Sequence, residues 1–337
     1  MSAGSSAGRQ PDTDDLLVIG KGRGGRAVIC PLHMKSYPFR YAFEVPACKK
    51  VRVLISTDCK NEADDQFALV HALMTPKFRI QGIIAAHFGR PDSMQLSFDE
   101  INRVLDIMDM TGAVPVLHGA EQALAADGET VLSEGAASII REAQSDDPAP
   151  LYVLAWGPLT DVALAVRQAP EIAGKVNLIW IGGAAWPQGG PEYNLHNDIA
   201  SANIVMKSAI PVQMITSPGF RRSFVSLAEL EYKVLPCGPI GAYLFRQLVA
   251  HNEAVAHSYT ASSGEGWCLG DSPSIGLLLN PHRHYCETQP APLFSEDMRY
   301  IHDQNNRPIR IYQEIDARFL LEDFFAKLAL NYGKSTL

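Results

Sequence analysis

The segment 53–70, VLISTDCKNEADDQFALV, gathers oxygen-bearing side chains at one point of the chain. A short run, Val53-Leu54-Ile55, ends at Thr57-Asp58. Asn61, Glu62, Asp64 and Asp65 follow, and an apolar-periodic stretch begins directly after them. Carboxylates this close repel one another, and their pKa values rise unless a cation is present. Hard oxygen donors at this density suit Ca²⁺ or Mg²⁺ rather than Zn²⁺. The same residues also suit a solvated helix start, because Asp and Glu are favoured in a first turn. On this segment alone both readings stand.

The surrounding elements decide where such a cluster would sit. From residue 51 the pattern alternates between apolar strands and amphipathic helices. Strand 51–56 leads to a helix over 64–75, and a strand within 80–86 leads to a helix over 95–111. A short strand at 114–117 and a helix near 131–145 precede the apolar run 151–155. A helix at 160–167, a strand at 176–181, a helix at 199–207 and a strand at 212–215 follow. Apolar strands alternating with helices predict an α/β fold, an open, mostly parallel twisted sheet with helices on both faces. Ligands of such sheets bind at the carboxyl ends of strands. Asp58, His87, Trp156 and Gly182-Gly183 all fall at such ends. Residues 220–290 read as mainly helical, with a Gly/Ser break at 262–266. Asn305-Asn306 between two short β-like segments suggests a small C-terminal hairpin, closed by a helix at 319–330.

At 337 residues, with 47% hydrophobic and 20% charged positions, the chain can bury a large core. A net charge of −8 and the lack of a Lys/Arg cluster argue against a nucleic-acid partner. No apolar run approaches a membrane span. Six cysteines without metal spacing, and an N-terminus without a basic-then-apolar pattern, lead to the expectation of a reduced, cytoplasmic protein. Residues 1–14 are expected to be disordered, 15–50 to form an N-terminal extension packed on the core, with strands at 15–19 and 40–45, and 51–337 to form one domain. Gly20-Lys21-Gly22-Arg23-Gly24-Gly25 matches a dinucleotide fingerprint formally, but Pro31 and Pro38 interrupt the helix it requires. An ordinary glycine turn is the preferred reading, and a nicotinamide-linked enzyme the disfavoured one.

Four motifs in order resemble the inosine–uridine nucleoside hydrolase superfamily. They are Asp58–Asp65, Gly157-Pro158-Leu159-Thr160-Asp161, Gly182-Gly183 with Glu192-Tyr193-Asn194-Leu195-His196-Asn197-Asp198, and Gly270-Asp271-Ser272-Pro273. The resemblance implies Ca²⁺ bound by Asp58, Asp65, the carbonyl of Trp156 and Asp271. It implies a metal-activated water attacking C1′ of a ribonucleoside or related N-riboside through an oxocarbenium-like transition state. Asp64, Glu192 and Asn194 would hold ribose hydroxyls, and a homo-oligomer, dimer or tetramer, is expected from relatives.

The match departs at several positions. Lys60 stands where the superfamily has its second aspartate, and an ammonium cannot ligate calcium. Either Asp58 takes the missing ligand's place, or Glu62 serves as the base, or activity is lost; the first two together are the preferred reading. Arg90 replaces a usual Asn, and Trp186 lies where an aromatic could stack on a base or pack in the core. Gly270 replaces a histidine that protonates the leaving group. His87, His196 and His257 are candidate substitutes, each more readily read as structural. The alternative to a hydrolase is a ribose- or nucleoside-binding protein that keeps the pocket without the base.

Overall fold

The computed structural model describes residues 39, 41–124, 131–258, 263–282 and 285–333. The expected disordered tail, the strand at 15–19 and the glycine run Gly20–Gly25 lie outside them. Of the strand expected at 40–45, the described residues 41–45 form no strand; Ala42 and Phe43 make a bend, and a 3-10 turn follows at Ala47–Lys49. Tyr41 ties this stretch to the core. Its hydroxyl donates to Met74 O at 2.7 Å and accepts from Asn331 at 3.0 Å.

The first half runs β1 (Val51–Thr57), α1 (Asp65–Leu73), β2 (Phe78–Ala85), α2 (Ser93–Ile107), β3 (Val116–His118), α3 (Glu134–Ala143), β4 (Leu151–Trp156), α4 (Thr160–Gln168) and β5 (Val176–Ile181). The second half runs α5 (Tyr193–Asn197), α6 (Ile199–Lys207), β6 (Val212–Ile215), α7 (Ser217–Phe220), β7 (Phe224–Ser226), α8 (Leu227–Lys233), α9 (Gly238–Ala254), β8 (Gly266–Cys268), α10 (Pro273–Leu279), β9 (Cys286–Pro290), β10 (Leu293–Phe294), β11 (Tyr300–Ile301), β12 (Pro308–Tyr312) and α11 (Ala317–Tyr332).

Eight strands form one sheet in the order β3-β2-β1-β4-β5-β6-β12-β9. All pairs are parallel except β12–β9. Every residue of β1 is buried, as a central strand covered on both faces requires. Its side chains alternate: Val53 and Ile55 join a core built from α1, α2, α9, α10 and α11, while Leu54 joins one built from α3, α4 and α6. Short polar side chains start several helices by accepting orphan backbone N–H groups. Ser133 caps α3, Asp198 caps α6 and Asp316 caps α11.

Two expectations for the C-terminal third change. A hairpin is present, but its strands are β10 and β11, not segments flanking Asn305-Asn306. β12 instead runs parallel to β6 and antiparallel to β9, extending the main sheet. The 220–290 region is helical in α8, α9 and α10, yet also carries the antiparallel pair β7–β8 and strand β9.

Between α1 and α11, buried His71 meets Asp323 at 2.7 Å through Nε2. Burial lowers the imidazole pKa from 6.5 to about 4, against the opposing pull of Asp323. The unfolded chain therefore binds the extra proton between about pH 6.5 and 4, and this site loses stability as pH falls through that window. His71→Gln keeps a donor for Asp323 but cannot titrate. Urea unfolding at pH 6.5 and 4.5 is expected to show a less acid-sensitive variant, by up to roughly 3 kcal/mol. Equal pH slopes would contradict it.

Candidate active site

Connections from β1 run outward through β2 to β3, whereas those from β4 run the other way through β5 to β6. The order therefore reverses between β1 and β4, and the crevice beyond their carboxyl ends is where such sheets bind ligands. Thr57 pairs with Trp156 at that end. The next residues, Asp58 and Gly157, lie so close that a Cβ on Gly157 would sit 3.3 Å from the Asp58 side chain. Glycine at 157 lets the two chain ends carry a carboxylate between them.

A cleft of about 500 Å³ opens here. The β1–α1 loop contributes Asp58, Asn61, Glu62, Asp64 and Asp65, and the β8–α10 turn contributes Gly270 and Asp271. Glu192, Tyr193, Asn194 and His196 come from the start of α5, and Phe220 and Arg221 from the end of α7. Oxygens of Asp64, Asp65 and Asp271 all lie within 4.8 Å of one another. Asp58 lines the same cleft without belonging to that trio. Asp64, which the sequence reading gave to the ribose, belongs to it.

Burial dominates the electrostatics. It raises the carboxyls of Asp58, Asp65 and Asp271 well above the ordinary range, and repulsion from neighbouring carboxylates adds to the effect. Asp64 is held at about 6, because backbone N–H groups, including that of Gly270 at 2.8 Å, offset part of the burial. Glu62 rises to about 8 through burial and the charges of Asp64 and Glu192, with Arg221 opposing. Asp65 accepts the Thr57 hydroxyl and its own backbone N–H, and Asp58 accepts its own backbone N–H and, at 3.5 Å, Asn61 Nδ2. Buried carboxylates with so few donors suit a hard divalent cation.

The Trp156 indole donates to Ser274 Oγ at 2.6 Å, and that hydroxyl donates to Asp271 O at 3.0 Å. The side chain thus braces β4 against α10, and the backbone of Trp156 is what it can offer the cleft. Glu192 caps α5. It accepts from Gly183 N at 2.9 Å, Asn194 N at 3.2 Å and Leu195 N at 3.0 Å. Asn194 donates to Ile181 O at 2.9 Å. His196 lies exposed at the rim.

His87 and Trp186 do not line the cleft. β2 does not flank the reversal, and His87 Nε2 is taken by Thr160 Oγ1 at 2.8 Å, which in turn donates to Asp198 at 2.7 Å. Trp186 packs on Tyr300 and His302, with ring centroids 5.0 and 4.8 Å away. His257 is exposed beyond the end of α9. Arg90 stacks over Phe88 at 4.7 Å. A side chain on Gly270 would press on Asp64 Oδ2 at 3.2 Å, so glycine lets the backbone N–H reach that carboxylate. The sequence reading missed Tyr193, Phe220 and Arg221 as cleft residues. Tyr193 sits inside a quoted motif, and the other two follow the carboxyl end of β6, where the strand-end rule applies.

Lys60 is turned out of the cleft. Its ammonium lies 3.3 Å from Glu100 on α2.

A family model described as inosine-uridine preferring nucleoside hydrolase matches residues 53–320. The chain belongs to that family. It is therefore a hydrolase acting on N-glycosyl compounds. Pyrimidine-specific ribonucleoside hydrolase RihA of Klebsiella pneumoniae is 27% identical over 259 residues, covering 67% of this chain and 79% of its own. Uncharacterized protein C1683.06c of Schizosaccharomyces pombe is 25% identical over 263 residues, covering 68% and 81%. Among solved structures, the purine-preferring ribonucleoside hydrolase from Gardnerella vaginalis superposes with a TM-score of 0.71 at 18% identity, covering 83% of this chain and 99% of that one. At that identity the likeness supports the fold.

Proposed function

We propose that the cleft hydrolyses the N-glycosidic bond of a ribonucleoside with the help of a divalent cation, Ca²⁺. The supporting observation is the buried trio Asp64, Asp65 and Asp271 at the point where the strand order reverses. These three would hold the cation, with Asp58 and the backbone of Trp156 beside them. When bound, the cation orients ribose hydroxyls and acidifies a water. Asp58 and Glu62 would serve as general base toward the water that attacks C1′. Positive charge grows on the ribose in an oxocarbenium-like transition state, and the surrounding carboxylates favour it. Glu192 and Asn194 would fix the ribose, and Tyr193 and Phe220 offer aromatic faces to the base. Lys60 gives no support to a binding-only reading, because its ammonium is held away from the cleft.

The test is release of reducing sugar from a panel of purine, pyrimidine and nicotinamide nucleosides, in Ca²⁺ or in EDTA. Pyrimidine nucleosides come first, since the RihA relatives are pyrimidine-specific. Release that persists undiminished in chelator would sink the proposal.

Glu62 makes no side-chain hydrogen bond among the described residues; burial and the charges of Asp64 and Glu192 raise it to about 8 in the cation-free cleft, and the charge of a bound cation would bring it down into the range of a general base. Glu62→Gln is expected to lower kcat by about 10²-fold or more while KM and calcium affinity hold. A fall in calcium affinity instead would make Glu62 a ligand. Unchanged kcat would leave Asp58 as the base.

A further inference from the structure

The β1–α1 loop is gripped from behind by residues that do not touch the cleft. Gln66 Nε2 donates to Cys59 O at 2.9 Å and to Glu100 Oε1 at 3.1 Å. Gln247 on α9 donates to Ala63 O at 2.7 Å. Glu100 is the hub of this grip. It is 2% exposed, accepts from Gln66 and from the Tyr243 hydroxyl, and faces the ammonium of Lys60 at 3.3 Å and the guanidinium of Arg103 at 3.8 Å. A buried carboxylate with that many partners is fully committed, and it fixes where Lys60 can go.

Lys60 is a hazard to the cleft. It lies between Asp58 and Asn61, both cleft residues, on a flexible four-carbon stem. An untethered ammonium there is an internal competitor for the carboxylates that would bind a cation. The Lys60 side chain remains 41% exposed, so packing alone does not restrain it; the charge of Glu100 does.

We infer that Glu100 is a positioning residue that keeps the acidic cluster available to a cation by holding the Lys60 ammonium on the far side of the loop. The inference rests on the cleft being a cation site, as proposed above. Glu100→Gln isolates the charge, because the retained oxygen still accepts from Gln66 and Tyr243 while its attraction for Lys60 is lost. Calorimetry with CaCl₂ on the full chain is expected to show binding weakened about tenfold or more in E100Q. Adding Lys60→Met should restore it, and K60M alone should bind as the wild type does.

A merely structural role for Glu100 predicts that the K60M/E100Q protein binds as poorly as E100Q, and that result overturns the inference. So does unimpaired binding by E100Q. If E100Q does not fold, Glu100→Asp, which draws the charge back by one methylene, is measured with and without K60M under the same criterion of restored binding. A wild-type protein that binds no calcium overturns the reading of the cleft and this inference together, whereas wild-type binding with an unimpaired E100Q overturns this inference alone.

Discussion

Asp271→Asn is expected to lower turnover by about 10³-fold, the scale seen when a preorganised electrostatic group is removed, and to abolish the rise in melting temperature on adding calcium. The substitution keeps the side-chain volume and deletes one charge from the trio. Its effect on the cation-free protein should have the opposite sign. Burial and the charges of Asp65, Asp64, Asp58 and Glu62 all push the Asp271 carboxyl upward, so the ionised form is unfavourable in the empty fold. Removing that charge should leave the melting temperature in EDTA unchanged or higher. The backbone of residue 271 keeps its bond from Ser274, so the β8–α10 turn has no cause to collapse. Loss of turnover accompanied by a large drop in EDTA stability would mark Asp271 as structural and remove it from the proposed ligand set. Retained calcium response would place the ion elsewhere.

How much of this was legible in the sequence depended on whether a feature is local. Ile199–Lys207 and Val212–Ile215 have the bounds their periodicity predicts, since a capped amphipathic helix and a short apolar run carry their own signals. The acidic cluster was legible because its members are neighbours in the chain, and Asp271 because it sits in a recognisable motif. Partners distant in sequence were not. The pattern of Pro308–Tyr312 marks a strand, but nothing local says that it pairs with β6 rather than folding back at Asn305-Asn306. β7 and β8 are three residues each, too short for any period to register. His87 obeys the strand-end rule, yet that rule selects a ligand site only beside the reversal of strand order, and β2 is one strand removed from it. Lys60 read as a defect in the motif because its counter-charge, Glu100, lies a helix away.

Calcium is expected to stabilise the protein far more at pH 8 than at pH 5. The sign follows from the carboxyls of the cleft. Their folded pKa values are raised, to about 6 for Asp64 and about 8 for Glu62, and well above the ordinary range for Asp58, Asp65 and Asp271. Unfolded carboxyls titrate near 4. Between about pH 4 and 8 the cation-free folded protein therefore holds more protons than the unfolded chain, and its stability falls as pH rises. His71 pulls the other way between about pH 4 and 6.5. Five carboxyls outweigh one imidazole, so the net slope in EDTA should be downward toward pH 8. A cation replaces those protons as the neutralising charge, and at pH 5 protons compete with it. With free calcium at about a hundred times its dissociation constant, binding contributes about 2.7 kcal/mol. For a chain of 337 residues that corresponds to a shift of roughly 4 °C at pH 8, shrinking to about 1 °C or less at pH 5. Melting curves in CaCl₂ and in EDTA at pH 5, 6.5 and 8 measure it directly. An equal shift at all three would mean that the ion binds away from the raised carboxyls, and the trio Asp64, Asp65 and Asp271 would lose its proposed role.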